Sequence, residues 1–225
     1  MSAVASPLEA LPETIPVFPL AGVLLLPGGR LPLNIFEPRY VAMIDDALAG
    51  PQRVLGMIQP AETGAVGIGD TPALYPIGCL GRITSFAEQE GGRYRYLITL
   101  TGVTRFTIRA ELPGQGGYRR MRVDYAPWSA DLAPAAPPML DRPALLKTIK
   151  RYFAVNDISA DWSAIADTPD DRLITTLAMV CPFSANEKQA LLEAADPGAR
   201  AATLLALMEM ASLRGAGAGD DRPKH

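Results

Sequence analysis

The chain has 225 residues, 48% hydrophobic and 20% charged, with a formal net charge of −3. That is enough apolar chain for one large domain or two small ones, and the acidic balance argues against a protein held to nucleic acid by bulk charge. No apolar run approaches the ~18 residues of a membrane span, no secretory leader is visible, and two lone cysteines, Cys79 and Cys181, point to unpaired thiols in a reducing cytoplasm.

Residues 1–12 are small and Pro-containing and read as a loose arm. Residues 15–40, IPVFPLAGVLLLPGGRLPLNIFEPRY, follow. Each proline there removes a backbone donor and locks φ, and pushes the residue before it toward extended geometry. The segment therefore reads as short buried strands broken by turns. Pro38 fits the first turn of a helix whose apolar stripe is Tyr40, Val41, Ile44, Ala47 and Leu48. Gly50-Pro51 ends that helix. Residues 53–59 form a short apolar strand, and residues 77–87 and 93–101 a hairpin across 88–92. In its second arm Tyr94, Tyr96, Ile98 and Leu100 share one face; Arg93, Arg95, Leu97, Thr99 and Thr101 take the other. Residues 103–112 and 118–125 supply two further strands.

Composition shifts at residues 126–138, APWSADLAPAAPP, which read as a linker between a β-rich unit at 13–125 and a helical one at 139–214. Residues 142–155 carry apolar side chains at helical spacing. Thr168-Pro169-Asp170-Asp171 reads as an N-cap, a first-turn proline and two first-turn acids. Ser184-x-x-Glu187 reads as a capping box, and Asp196-Pro197 opens the last helix. The Gly/Ala run at 215–219 ends it, and 215–225 reads as a disordered tail. Strands first and helices second argue for an α+β fold.

The chemistry is mostly excluded. His225, the last residue, is the only histidine, so no internal His triad, His base or Cys–His pair is available. Two separated cysteines do not supply a zinc site. Lysine occurs only at 147, 150, 188 and 224, and none follows a glycine, so no phosphate-binding G-x-x-x-x-G-K loop exists. The glycines of 64–69 and 114–117 read as loops. No catalytic residue, cofactor or metal is expected. Asp45-Asp46 read as a solvated helix face, since adjacent helix positions diverge. Arg93, Arg95 and Arg105 beside Tyr94, Tyr96 and Phe106 read as alternation, aromatics inside and arginines outside; stacking on a nucleic-acid base is the rival. Arg119, Arg120 and Arg122 read as another solvated strand face. Glu37 and Arg39 are either an ion pair fixing the helix start or part of a recognition groove.

The run ending Phe36-Glu37-Pro38-Arg39-Tyr40, the stretch YPIGCLGRI at 75–83 and YLITLTGVTRF at 96–106 together resemble the Lon protease N-terminal domain. This is the substrate-binding domain of ATP-dependent protease La. The resemblance covers most of 13–210 and is nearest the small stand-alone members. It implies a PUA-like twisted β-barrel followed by a helical bundle. It also implies non-catalytic recognition of unfolded or damaged polypeptide, or of a degradation signal, in partnership with a separate protease or chaperone. The ATPase and Ser-Lys protease modules of full Lon are absent by motif. Unfolded chains share exposed apolar groups, so such a module needs exposed apolar surface of its own. The candidates are Leu31, Leu33, Ile35, Phe36, Glu37, Arg39 and Tyr40, with the groove between barrel and helices and a strand edge open to β-augmentation. Positions 31, 33 and 35 share a strand face and serve binding only if that face is not core. The alternatives are an RNA-binding PUA-like module and a small-molecule binder in the inter-subdomain cleft.

Overall fold

The computed structural model of the chain describes residues 8, 10–61, 72–89, 95–133 and 140–218, with side chains to residue 214. Six strands occur among them: β1 (Thr14–Pro19), β2 (Arg30–Ile35), β3 (Val54–Ile58), β4 (Ile77–Glu88), β5 (Tyr96–Gln115) and β6 (Tyr118–Asp124). Five of them close a ring in the order β5, β4, β3, β1, β6 and back to β5. Only β1 and β3 run parallel. Closure needs a long strand, and β5 provides it with 20 residues. Its second half pairs with β6 through a turn at Gly116 and Gly117, whose φ values of 57° and 84° suit glycine. Its first half pairs instead with β2, which lies outside the ring.

Two apolar clusters result. Ile15, Val17, Val54, Ile58, Leu80, Phe106, Met121 and Val123 fill the barrel interior. Gly56 and Gly78 make room for the Phe106 ring: a Cβ at Gly78 would lie 2.5 Å from its Cζ. The opposite face of the same strands belongs to a larger cluster. It runs from Leu55, Met57, Cys79, Ile98 and Leu100 into the helical part at Leu145, Tyr152, Leu177, Leu192 and Leu204. Strand β3 is buried on both faces for this reason. Leu24–Leu26, buried without regular structure, plug the same space.

Helix α1 (Pro38–Ala49) has Pro in its first turn, buries Tyr40, Met43, Ile44 and Ala47, and stops at Gly50. The later helices are α2 (Arg142–Val155), α3 (Trp162–Asp167), α4 (Asp170–Val180), α5 (Ala185–Glu193) and α6 (Pro197–Ala218). Ser184 and Glu187 form the expected capping box. Three details differ from the sequence expectation. Thr168 is not an N-cap: it closes α3, its hydroxyl donating to the Ala164 carbonyl, and Pro169 takes the cap position of α4. Helix α3 was not legible as apolar periodicity, being one short element capped by Asp161. Helix α6 continues through Gly215 to Ala218, because adding a residue to an existing helix is far easier than starting one.

The 126–138 segment also differs. Ala126–Leu132 form a 3-10 helix docked on β5 rather than loose chain. Residues 134–138, the arm at 1–7, Gly64–Gly69, Glu90–Tyr94 and the tail beyond 218 lie outside the described residues. The docking depends on Arg105, which the alternation reading had placed outside. It is 3% exposed. Its Nε and one terminal nitrogen donate to the two Asp131 carboxylate oxygens at 2.9 and 2.7 Å, and its guanidinium lies 4.1 Å from the Trp128 ring. The other terminal nitrogen donates to the Leu192 and Ala194 carbonyls at the end of α5, where a cation also meets the negative end of the helix dipole. One guanidinium thus joins barrel, 3-10 helix and helical region.

The reversal has a local cause. The β4–β5 register shifts so that Leu80 faces Thr104 and Gly81 faces Gly102, leaving Val103 as an extra residue. A one-residue bulge exchanges the two faces of a strand. Before it, Ile98 and Leu100 face the shared core. After it, Phe106 faces the barrel interior and Arg105 faces the helices.

Candidate functional site

The sequence-chosen residues at the end of β2 separate into two groups. Ile35 is 1% and Tyr40 6% exposed, both in the shared core. The Tyr40 ring sits 4.0 Å from that of Phe18. Leu31 and Leu33 are half-buried against the same cluster. That strand face is core, so Leu31, Leu33 and Ile35 are packing residues first. Phe36, Glu37 and Arg39 lie on the surface. Glu37 and Arg39 form an exposed ion pair at 2.8 Å, and the guanidinium stacks 4.6 Å from the Tyr40 ring.

Strand register brings further apolar side chains to this end of the sheet. Leu97 pairs with Asn34 on one side and Ala87 on the other, and Ile35 pairs with Tyr96. Phe36 is 56%, Phe86 51% and Leu97 40% exposed. Phe86 meets Tyr96 edge-on at 6.4 Å. Among the described residues β2 pairs only with β5, so its outer edge is open. Pro32, in the middle of β2, has no donor to give the ladder and blunts that edge, a common protection of exposed strands. Sequence reading missed Phe86 and Leu97. Leu97 was visible as an apolar residue on the polar face of an alternating strand; Phe86 depended on a register shift near Ser85.

The remaining polar residues are structural. Asp45 accepts from the Tyr96 hydroxyl and Asp46 from the Tyr118 hydroxyl, both at 2.6 Å, so this acidic pair is not a bare solvated face. The Asp45 hydrogen bond raises the Tyr96 pKa, and burial followed by Asp46 pushes Tyr118 up to about 12. Arg119 is bidentate to Glu111, which neutralises one of the three cations of the densest basic run. Both cysteines are free and buried. Burial raises both thiol pKa values, that of Cys181 to about 12, the reverse of an activated nucleophile. No cluster of three metal-ligating side chains occurs among the described residues, and no described helix is long and apolar enough to cross a membrane.

This mixed sheet, closed over part of its length and covered by a helical region, defines an α+β class of domain with exposed apolar side chains at the open end of the sheet and no assembled reactive centre among the described residues. The family profile of the ATP-dependent protease La (LON) substrate-binding domain matches residues 14–210, and the chain belongs to that family. Lon protease 2 of Myxococcus xanthus is 27% identical over 204 residues, 89% of this chain and 24% of the relative. Lon protease of Escherichia coli K12 is 26% identical over 87% of this chain and 24% of its own length. The chain thus spans about a quarter of the curated relatives it matches. Among solved structures, the N-terminal domain of Mycobacterium avium complex Lon protease aligns with a TM-score of 0.60 at 20% identity, over 87% of this chain and 98% of that one. A Lon N-terminal domain protein from Xanthomonas campestris aligns with a TM-score of 0.55 at 24% identity, over 86% and 97%. These neighbours share the fold.

Proposed function

We propose that the chain is a non-catalytic recognition module that binds unfolded or damaged polypeptide, or a degradation signal, and serves a separate protease or chaperone. The observation that carries the reading is the exposure of large apolar side chains at the open end of the sheet in a substrate-binding-domain fold: Leu97 on one face, Phe86 on the other beside Tyr96, and Phe36 just past the end of β2. Rigid aromatic area supplies much of the energy in protein recognition, and Arg39 adds a charged donor beside it. The open β2 edge can add main-chain hydrogen bonds to an extended client. Leu33, Ile35 and Tyr40 serve this surface from below, by holding β2 and the start of α1 in place. The absent phosphate loop and the unactivated thiols support a module without chemistry of its own. Two free, buried cysteines support a cytoplasmic setting.

The test is anisotropy of a labelled, permanently unfolded polypeptide titrated with the protein and with Leu97→Asp and Phe86→Ser. Each substitution is expected to weaken binding by more than ~1 kcal/mol while the melting temperature holds. Unchanged affinity in both variants removes this surface from the site.

A further inference from the structure

Between barrel and helices lies a cleft of about 850 Å³, within the range of ligand pockets. Its walls come from the turn before β2, from β5, from the end of the 3-10 helix, from α4 and from the first turn of α6. Ile174, Met179 and Val180 give it an apolar side. Arg30, Arg105, Arg172 and Arg200 face three aspartates, Asp131, Asp171 and Asp196.

These charges are not paired one to one. Arg105 and Asp131 satisfy each other. Asp196 caps α6, accepting from the Ala199 amide at 2.8 Å. Arg200 is only 6% exposed. It gives its Nε to the Leu191 carbonyl at 3.0 Å and makes no ion pair among the described residues. Burial, then the charge of neighbouring Arg105, pushes its pKa below the ordinary value. The buried part of the wall therefore holds two guanidiniums against one carboxylate. A buried cation without a counter-charge is costly, and an anion entering beside it removes that cost.

We propose that this cleft is a binding site for a carboxylate-bearing ligand, with Arg200 as its buried anchor and the exposed Arg30 and Arg172 meeting it at the entrance. One feature favours a carboxylate over inorganic phosphate. The apolar side accepts the carbon body that carries the carboxylate, while a guanidinium fork matches its two oxygens. The carboxylate comes either from a small organic acid or from an acidic residue or chain end of a polypeptide. The inference does not depend on the surface at the end of β2.

Calorimetric titration of the full chain tests it with four probes: succinate, an acetylated hexapeptide with two aspartates and a free C-terminus, its asparagine and amide counterpart, and inorganic phosphate. Saturable binding of succinate or of the acidic peptide is expected, with none of the neutral peptide. Succinate alone identifies a small acid, and the acidic peptide alone a polypeptide source. Arg172→Gln and Arg30→Gln, at exposed positions, are expected to weaken binding about tenfold each, the loss of one charge-assisted hydrogen bond. Arg200→Gln is expected to weaken it further; if that variant fails to fold, the two entrance variants carry the test. Leu97→Asp leaves succinate binding unchanged, which separates failure here from failure at the β2 end. The proposal is overturned if neither carboxylate probe saturates, if phosphate binds more tightly than both, or if the entrance variants bind like the parent.

Discussion

The two halves of β5 belong to one strand yet have opposite fates. From Thr107 onward β5 is zipped into the ring by β6; Phe106 fills the barrel interior, while Arg109 and Glu111 reach solvent in ion pairs with Asp124 and Arg119. From Tyr96 to Thr101 it is flanked by β2, whose other edge is open, and Leu97 reaches solvent. Arg95, just before the first half, makes an exposed ion pair with Glu88, whereas Arg105 in the second is the buried joint of the molecule. Closing a ring removes strand edges; leaving one end open retains an edge that another chain can use. The switch occurs at Gly102, where the loop after β1 comes so close that a Cβ would lie 2.0 Å from the Leu26 carbonyl oxygen.

That contrast can be broken most forcefully at Arg105. Arg105→Ala leaves Asp131 buried without a partner and frees the α5 carbonyls, and is expected to cost ~3–5 kcal/mol in chemical denaturation. Arg95→Ala, in the open half, is expected to leave the denaturation midpoint unmoved. Equal losses would mean that the two halves are equally structural. Gly78→Ala tests the closed end by pushing a methyl group into the Phe106 ring, at an expected ~1–3 kcal/mol. A neutral result would show that the barrel interior has room to spare. Ser184→Ala removes the cap of α5, the helix that Arg105 grips from its other end, and should cost ~1 kcal/mol. No change in midpoint would show that the Arg105 grip alone positions α5.

A pH dependence confined to alkaline solution is also expected. Tyr118 and Cys181 both rise to about 12 in the folded chain, from ordinary values of 10.0 and 9.0. Folding therefore favours their protonated forms. This contribution is complete below about pH 9 and is lost as pH climbs from there toward 12. Melting temperature should stay level across neutral pH and fall above about pH 9; a rise there would contradict the burial of both groups.

Much of this was legible in residues. Proline and glycine placement located the strands and the start and stop of α1, because those residues act through their own backbone. Ser184 and Glu187 announced α5, since a capping box is local chemistry. In sequence this region reads as two strands, 93–101 and 103–112, where the structure runs one strand, β5, through the bulge at Val103, because the cross-strand register that carries it across is set by β4. Helix α3 carried too few apolar residues for periodicity to show. The rim was half legible: Phe36 and Arg39 were visible beside a helix start, while Phe86 and Leu97 join them only through β4–β5–β2 register.

The residues by themselves determined the order of strands and helices, the apolar positions of each element and the absence of a phosphate loop or an internal histidine. All of these follow from spacing along the chain. Tertiary structure alone decided that Arg105 is buried while Arg95 is not, that Asp45 and Asp46 receive tyrosine hydroxyls, and that Arg200 enters a cleft beside a second guanidinium. The physical reason is the same in each case. Local pattern specifies which face of an element is apolar, but a single-residue bulge exchanges the faces, and only packing between distant segments sets which charge loses its water.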